Sequence, residues 1–320
     1  MITPYPEEGR ERDRWILSRR ALRRELDPWQ PSEFLVEDER AENGEIVSVA
    51  TIFLTNRECP WRCLMCDLWR NTLTQTVPAG AIPAQIDYAI ERLPAARQIK
   101  LYNSGSFFDR LAIPPGDYEP IAARLNSFER VIVESHPALV GPDCLRFCDL
   151  LDGRMEVAMG LETAHPEVLS RLNKRMTLDQ FSRAAAELRV HDIALRVFIL
   201  VKPPFLDESE ALDWAARSLD FAFDCGAGVA VLIPTRAGNG ALDALAERGQ
   251  FSPPRLATLE DAMAYGLGLR RGRVFADLWD LERFADCRSC FGARAARLHA
   301  MNLQQTILPP VTCESCGEER

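Results

Sequence analysis

No stretch of this chain approaches the ~20 consecutive apolar residues of a bilayer-spanning helix, and no membrane role is expected of it. Basic charge is also short. Lys and Arg number 38 against 47 Asp and Glu, for a net charge of −9. Duplex and tRNA binders usually show a basic footprint, and the chain as a whole has none. One local exception is Arg10–Arg24, which gathers Arg10, Arg12, Arg14, Arg19, Arg20, Arg23 and Arg24. It reads either as a phosphate-facing helix or, with better support, as a solvated helix balanced by the acidic Glu37–Glu45 stretch. The opening residues, Met1-Ile-Thr-Pro-Tyr-Pro-Glu-Glu, lack the basic and apolar regions of a secretory leader, so a cytoplasmic location is expected. A disulfide framework is lacking as well. Seven of the ten cysteines fall in three tight clusters, which in a cytosolic enzyme read as metal sites. Histidine is sparse: His136, His165, His191 and His299 are scattered, each read as singly satisfied, although His136-Pro and His165-Pro follow strand ends.

What is present is an ordinary globular composition, 47% apolar and 27% charged over 320 residues. That is enough for one large α/β domain or two smaller ones. Residues 1–45 form an N-terminal extension. Trp15, Ile16 and Leu22 give a weak helical stripe, and Pro28, Pro31, Asp38 and Gly44 break regularity. From Ile46 a repeat begins. Ile46–Leu54, Gln98–Tyr102, Arg130–Glu134, Met155–Glu162, Ile193–Val201 and Gly228–Pro234 read as six buried strands. Helices are expected between them at Ile82–Leu93, Tyr118–Phe128, Cys144–Leu151, a segment opened by the capping box Thr177-Leu-Asp-Gln180, and Glu208–Phe223. Such alternation over 46–240 argues a parallel α/β sheet, either doubly wound or a partial barrel, with ligands at the carboxyl ends of the strands. Residues 241–320 form a C-terminal extension, with helices at Leu242–Arg248 and Leu256–Arg270.

The chemistry concentrates in cysteines and strand ends. Cys59, Cys63 and Cys66 stand in C-x3-C-x2-C spacing directly after the first strand. Three thiolates are one short of a structural zinc site. They suit a [4Fe–4S] cluster with one iron left open for a small molecule. Trp61 and Trp69 either shield such a cluster or simply pack. Asn103, Ser104, Gly105 and Ser106 end the second strand with small and polar groups that let a ligand approach. Glu134 and Glu162 end the third and fourth strands. Each suits ribose hydroxyls or an ammonium, or else an ion pair with Arg196 or Lys202. Arg196 lies inside the fifth strand and needs an anion. Ile233, in the apolar run Val231-Leu-Ile-Pro234, suits a wall against a flat base. Cys287-Arg-Ser-Cys290 and Cys313-Glu-Ser-Cys316 are two C-x2-C pairs. Together they suit a closed Zn2+ site or a second [4Fe–4S] cluster, with zinc favoured. Cys144, Cys148 and Cys225 read as buried thiols.

The cysteine spacing after an apolar strand resembles the radical S-adenosylmethionine (SAM) superfamily. Asn103-Ser-Gly-Ser-Phe-Phe-Asp109, Gly160-Leu-Glu162, Asn173-Lys174 and Leu200-Val-Lys-Pro-Pro-Phe205 are similar to the radical SAM partners of archaeosine synthase (RaSEA), within the MiaB/NifB-like group. The resemblance covers roughly residues 46–240. It implies a partial (β/α)6 barrel and a cluster whose open iron takes SAM's amino and carboxylate groups. One electron then cleaves SAM to a 5′-deoxyadenosyl radical. It also implies a SAM-amino site at Asn103–Ser106, SAM's carboxylate at Arg196, an adenine wall at Ile233, and an electron donor such as a flavodoxin or ferredoxin. The substrate it implies is a lysine-modified deazaguanine in tRNA. The acidic balance favours instead a small metabolite or peptide. A zinc-bearing interaction protein with no catalysis is the remaining alternative.

Overall fold

The computed structural model describes residues 4–317. In chain order the regular elements are α1 (Gly9–Leu17), β1 (Glu33–Arg40), β2 (Ile46–Phe53), α2 (Ala81–Ile90), β3 (Gln98–Tyr102), α3 (Tyr118–Leu125), β4 (Arg130–Glu134), α4 (Pro142–Asp149), β5 (Arg154–Glu162), α5 (Pro166–Arg171), α6 (Leu178–Val190), β6 (Ala194–Val201), α7 (Glu208–Asp224), β7 (Val229–Pro234), α8 (Ala241–Ala246), α9 (Leu256–Leu269), β8 (Arg273–Ala276) and α10 (Arg288–Gln304). All eight strands join one sheet in sequence order. β1 runs antiparallel to β2, and every later pair is parallel. The six expected strands and the expected partial-barrel class are present. Among the described residues no helix is long and apolar enough to cross a membrane.

Period-two alternation gives each strand two buried faces. One face presents Ile52, Ile99, Leu101, Val131, Val133, Val157, Val197, Ile199 and Leu232 to the helices, and these form the main core. The opposite, inner face carries a smaller apolar layer of Val47, Val49, Ile132 and Ala158, with Tyr102 and Phe198 against it. Two residues earlier on the same inner face, the strands carry Lys100, Arg130, Glu156 and Arg196, all buried. Glu39 of β1 completes this charged floor. Arg196 donates to Glu39 at 2.5 Å and to Glu156 at 2.6 Å, Lys100 lies 2.6 Å from Glu39, and Arg130 donates to Glu156 at 3.1 Å. Arg196 is therefore corrected: two carboxylates already answer its guanidinium, low in the sheet and away from the strand ends.

β1 and β8 add to the expected strands. β1 reads Glu-Phe-Leu-Val-Glu-Asp-Glu-Arg and looks like a solvated acidic run, yet Glu37 and Glu39 both face Lys100. Gly44, at φ +85°, lies in the turn to β2, where Ala41 N–H donates to the Glu45 carbonyl. The capping box at Thr177 and Gln180 forms as expected and starts α6. The N-terminal helix is shorter than the arginine run suggested. α1 stops at Leu17, with Trp15 and Ile16 packed beside Leu64, Leu242 and Leu245. Leu22, expected in the same stripe, is 94% exposed because the chain has left the helix by then.

The outer strands leave two free edges, and α10 packs against both β8 and β1. Its last turn covers the β8 backbone with amide side chains. Asn302 accepts the Ala276 N–H and donates to the Ala276 carbonyl, at 2.8 and 2.9 Å. Gln305, just past the helix end, does the same for Val274, at 2.8 and 2.9 Å. Arg273 of β8 donates to the Arg40 carbonyl of β1 at 2.8 Å, drawing the two edge strands together.

Candidate active site at the strand ends

The loop after β2 holds Cys59, Cys63 and Cys66, and distant parts of the chain set its backbone. Leu64 is fully buried, and its N–H donates to the Leu172 carbonyl at 2.9 Å. Asn239, after β7, donates to the Leu64 carbonyl at 2.8 Å and the Cys66 carbonyl at 3.3 Å. Asn173, after α5, donates to the Arg62 carbonyl at 2.7 Å. Glu58, beside the first cysteine, takes Arg20 at 2.6 Å, Arg62 at 3.1 Å and Arg23. Two members of the N-terminal arginine run thus brace this loop instead of facing phosphates.

Burial pushes the thiols of Cys59, Cys63 and Cys66 up to about 12, and the Lys174 ammonium opposes it at Cys59 and Cys63. Unaided, the loop keeps its sulfurs protonated; a bound metal's charge would ionise them. The three thiols influence one another, yet among the described residues the only Cys, His, Asp or Glu group drawn within 4.8 Å is the C-terminal four.

Asn103–Ser106 packs directly on this loop. A Cβ at Gly105 would lie 3.0 Å from the Cys59 Cβ, so glycine permits the close approach. The Glu134 carboxylate accepts the Asn103 N–H at 2.8 Å and also the Ser104 and Gly105 N–H groups. Burial still raises it to about 7. Glu134 is thus a buttress of the turn, and the alternative of an ion pair with Arg196 or Lys202 does not occur. The Ser106 hydroxyl is engaged internally with Ser135 Oγ at 3.2 Å and the His136 N–H at 3.3 Å. Asn103 differs. Its side chain is fully buried, and neither amide atom has a hydrogen-bond partner. Leaving buried polar groups unpaired costs about 1–3 kcal/mol each, so this amide marks a place fitted to a polar ligand. That satisfies the test a SAM site must meet beside a three-thiol loop.

Glu162 adopts φ +66° at a bulge ending β5 and pairs with Lys174 at 2.6 Å. A Cβ at Gly160 would run into both groups. The ion-pair alternative for Glu162 therefore holds with a different partner: Lys202 turns instead to Glu208 at 2.8 Å and Ser252 at 2.7 Å. Lys174, a largely buried cation whose charge acts on Cys59 and Cys63, is not among the residues expected at the site. Its only signal was the short Asn173-Lys174 match. Ile233 packs against the small cluster of Val168, Leu172, Leu200 and Leu206, as does Met65 of the cysteine loop. His136 stacks on Trp61, with ring centres 3.8 Å apart, accepts the Ala138 N–H at Nδ1, and meets the Lys174 carbonyl at 3.0 Å through Nε2. Burial, with Lys174 nearby, lowers it to about 4, so it is a satisfied neutral histidine. His165 caps α5 and lies against Trp214. Cys144 is buried in the main core.

No protein-family model matches the sequence. Among curated proteins the chain is similar to an uncharacterised Methanocaldococcus jannaschii protein, MJ0550, at 26% identity over 73% of this chain and 68% of that one. It is also similar to archaeosine synthase subunit beta of Methanosarcina acetivorans, at 27% identity over 67% of this chain and 65% of that one. Its span is thus about two thirds of these relatives' length. Among solved structures, Methanocaldococcus infernus Elp3 superposes with a TM-score of 0.53 at 13% identity, covering 80% of this chain and 63% of that one. Similarity to archaeosine synthase subunit beta, together with the shared fold, supports a radical SAM superfamily member. The radical SAM neighbours imply a [4Fe–4S] cluster and SAM. The Cys59–Cys66 loop, the turn at Asn103 and the Glu162–Lys174 pair meet at the strand ends, where such a sheet places its ligands.

Proposed function

We propose that Cys59, Cys63 and Cys66 hold the [4Fe–4S] cluster, and that the enzyme acts on a modified deazaguanine nucleoside. The observation that carries the first half is Asn103, an amide without partners on a turn that packs against the half-buried three-thiol loop. When bound, the cluster supplies the electron that splits SAM to a 5′-deoxyadenosyl radical, chemistry that side chains cannot perform. The chain's own residues bind and exclude water. Asn103 and the Glu162–Lys174 pair are placed to meet SAM's amino and carboxylate groups. Glu134 fixes the turn that carries Asn103, with Ser104, Gly105 and Ser106 shaping it. Ile233 and Met65 offer an apolar side to adenine. A flavodoxin- or ferredoxin-type donor would supply the electron in the cytoplasm.

The substrate half rests on similarity to archaeosine synthase subunit beta. A second reading, a free small molecule, draws support from Arg20 and Arg23, which are spent on Glu58, and from the net charge of −9. The test is anaerobic. The protein is reconstituted with iron and sulfide, reduced with dithionite, and given SAM. 5′-Deoxyadenosine from the wild type, lost in Cys63→Ala, is expected; its absence from the wild type overturns the reaction. Consumption of a lysine-modified deazaguanine in tRNA, weakening with salt as phosphate contacts do, is expected for the substrate. Consumption of the free nucleoside alone selects the small-molecule reading. SAM cleavage without loss of either substrate overturns the deazaguanine assignment and leaves the reaction class standing.

A further inference from the structure

We propose that Cys287, Cys290, Cys313 and Cys316 hold one tetrahedral zinc ion, and that this ion clasps the helix sealing the open side of the half-barrel. The four sulfurs lie within 4.8 Å of one another. Zinc–thiolate bonds of about 2.3 Å place tetrahedral sulfurs about 3.8 Å apart, so one ion fits with little adjustment. A cube gives each thiolate its own iron and spreads the sulfurs further. The backbone repeats one arrangement in both pairs. Ser289 and Cys290 N–H groups point to the Cys287 sulfur, and Ser315 and Cys316 N–H groups to the Cys313 sulfur. Such bonds spread thiolate charge and orient the sulfur toward the metal.

Charge is matched outside the ligands. Four thiolates around a dication leave two negative charges. Arg294, 1% exposed, reaches the Cys290 sulfur and donates to Glu260 of α9 at 2.6 and 3.1 Å. A buried guanidinium between a thiol and a carboxylate is the outer partner that a ligand sulfur needs. Four protein ligands leave no open position, which makes the site structural, unlike the three-thiol loop.

Its mechanical role follows from what it joins. Cys287 and Cys290 begin α10, and Cys313 and Cys316 close the tail that returns along it. Arg297 holds that tail by the Leu308 and Pro309 carbonyls, each at 2.9 Å, and reaches Glu260 at 3.3 Å. The far end of the same helix carries Asn302 and Gln305 onto the free edge of β8. One ion thus ties the tail, α9 and the edge-covering helix together.

The first measurement is metal content of the full chain with Cys59, Cys63 and Cys66 all replaced by Ala, which removes iron held at the strand ends. About one zinc per chain without iron–sulfur absorption is expected. Four irons, a single iron, or no metal would each overturn the zinc assignment. The second measurement uses the wild type treated with EDTA. Loss of zinc should speed hydrogen exchange at the Val274 and Ala276 amides at least ~10-fold, leaving β3 to β5 unchanged. Zinc loss with unchanged exchange in β8 would overturn the clasp, and this arm does not depend on a cysteine variant that folds.

Discussion

Glu134 shows how one side chain can act through another. Its carboxylate collects three backbone N–H groups from Asn103, Ser104 and Gly105, and so decides where the Asn103 amide stands. The environment works against its charge, since burial raises it from the ordinary carboxylate value to about 7. A folded-state value above the unfolded one means that stability is fully present below about pH 4.5 and declines as pH rises toward 7. At about 1.36 kcal/mol per unit, the loss is at most about 3 kcal/mol. Glu134→Gln removes the titration. Its urea midpoint is therefore expected to fall less than that of the wild type between pH 4.5 and 7, while SAM cleavage drops because the amide accepts fewer N–H bonds. Parallel pH curves for the two proteins would show that Glu134 does not titrate in this window. Asn103 was legible as a strand-end polar residue, but its lack of partners was not. The turn that carries Asn103 meets Cys59 through Gly105, 46 positions away in the chain, and no local pattern encodes that contact.

Elements were legible where burial is uniform and opaque where charge is buried. β2 to β7 read as strands because both faces are covered, giving near-continuous apolar runs. β1 hid because Glu37 and Glu39 look solvated until Lys100 and Arg196 are placed beneath them. β8 is four residues long, too short for periodicity to register. α10 buries only Leu298 and Met301 as apolar residues of the main core and makes further contacts through Asn302, Gln305, Arg294 and Arg297, polar groups that read as surface. The amide clamp nonetheless stops β8 from presenting an unpaired edge, a template for pairing with another chain. The double variant Asn302→Ala, Gln305→Ala removes the four hydrogen bonds to β8, of roughly 1 kcal/mol each. It is expected to lower exchange protection of Val274 and Ala276 by ~10-fold or more and to favour self-association as protein concentration rises. Light scattering and exchange rates equal to wild type would show that the clamp is dispensable.

At the scale of the whole molecule, the inner face of the sheet is layered. Charges form the floor at the strand starts, Tyr102, Phe198, Ile132 and Ala158 lie above them, and the candidate site crowns the strand ends. The apolar layer separates two polar systems, so that Arg196, assigned from sequence to the site, in fact serves the floor. A buried ion-pair network is weak evidence of net stability, but removing one partner strands the others without water and typically costs about 3–5 kcal/mol. Glu39 is the critical member, since it answers both Arg196 and Lys100. Burial alone would raise its pKa, but those two cations hold it far below the ordinary carboxylate range. Its contribution is therefore present above about pH 4.5 and lost as pH falls further. Lys100 is shifted upward despite its burial, chiefly by Glu39, so its share persists below its ordinary value of 10.5 and fades only at higher pH. The floor should thus be intact from about pH 5 to 10. Glu39→Ala is expected to lose about 3–5 kcal/mol in urea denaturation at pH 7, and the deficit should shrink as pH drops below 4.5, where the wild type loses the same charge. Glu42→Ala, which removes an exposed partner of Arg130, should cost about 1 kcal/mol or less. Equal effects of the two substitutions, or a Glu39→Ala deficit independent of pH, would mean that the floor is not an electrostatic unit and that β1 is held by its backbone pairing to β2 alone.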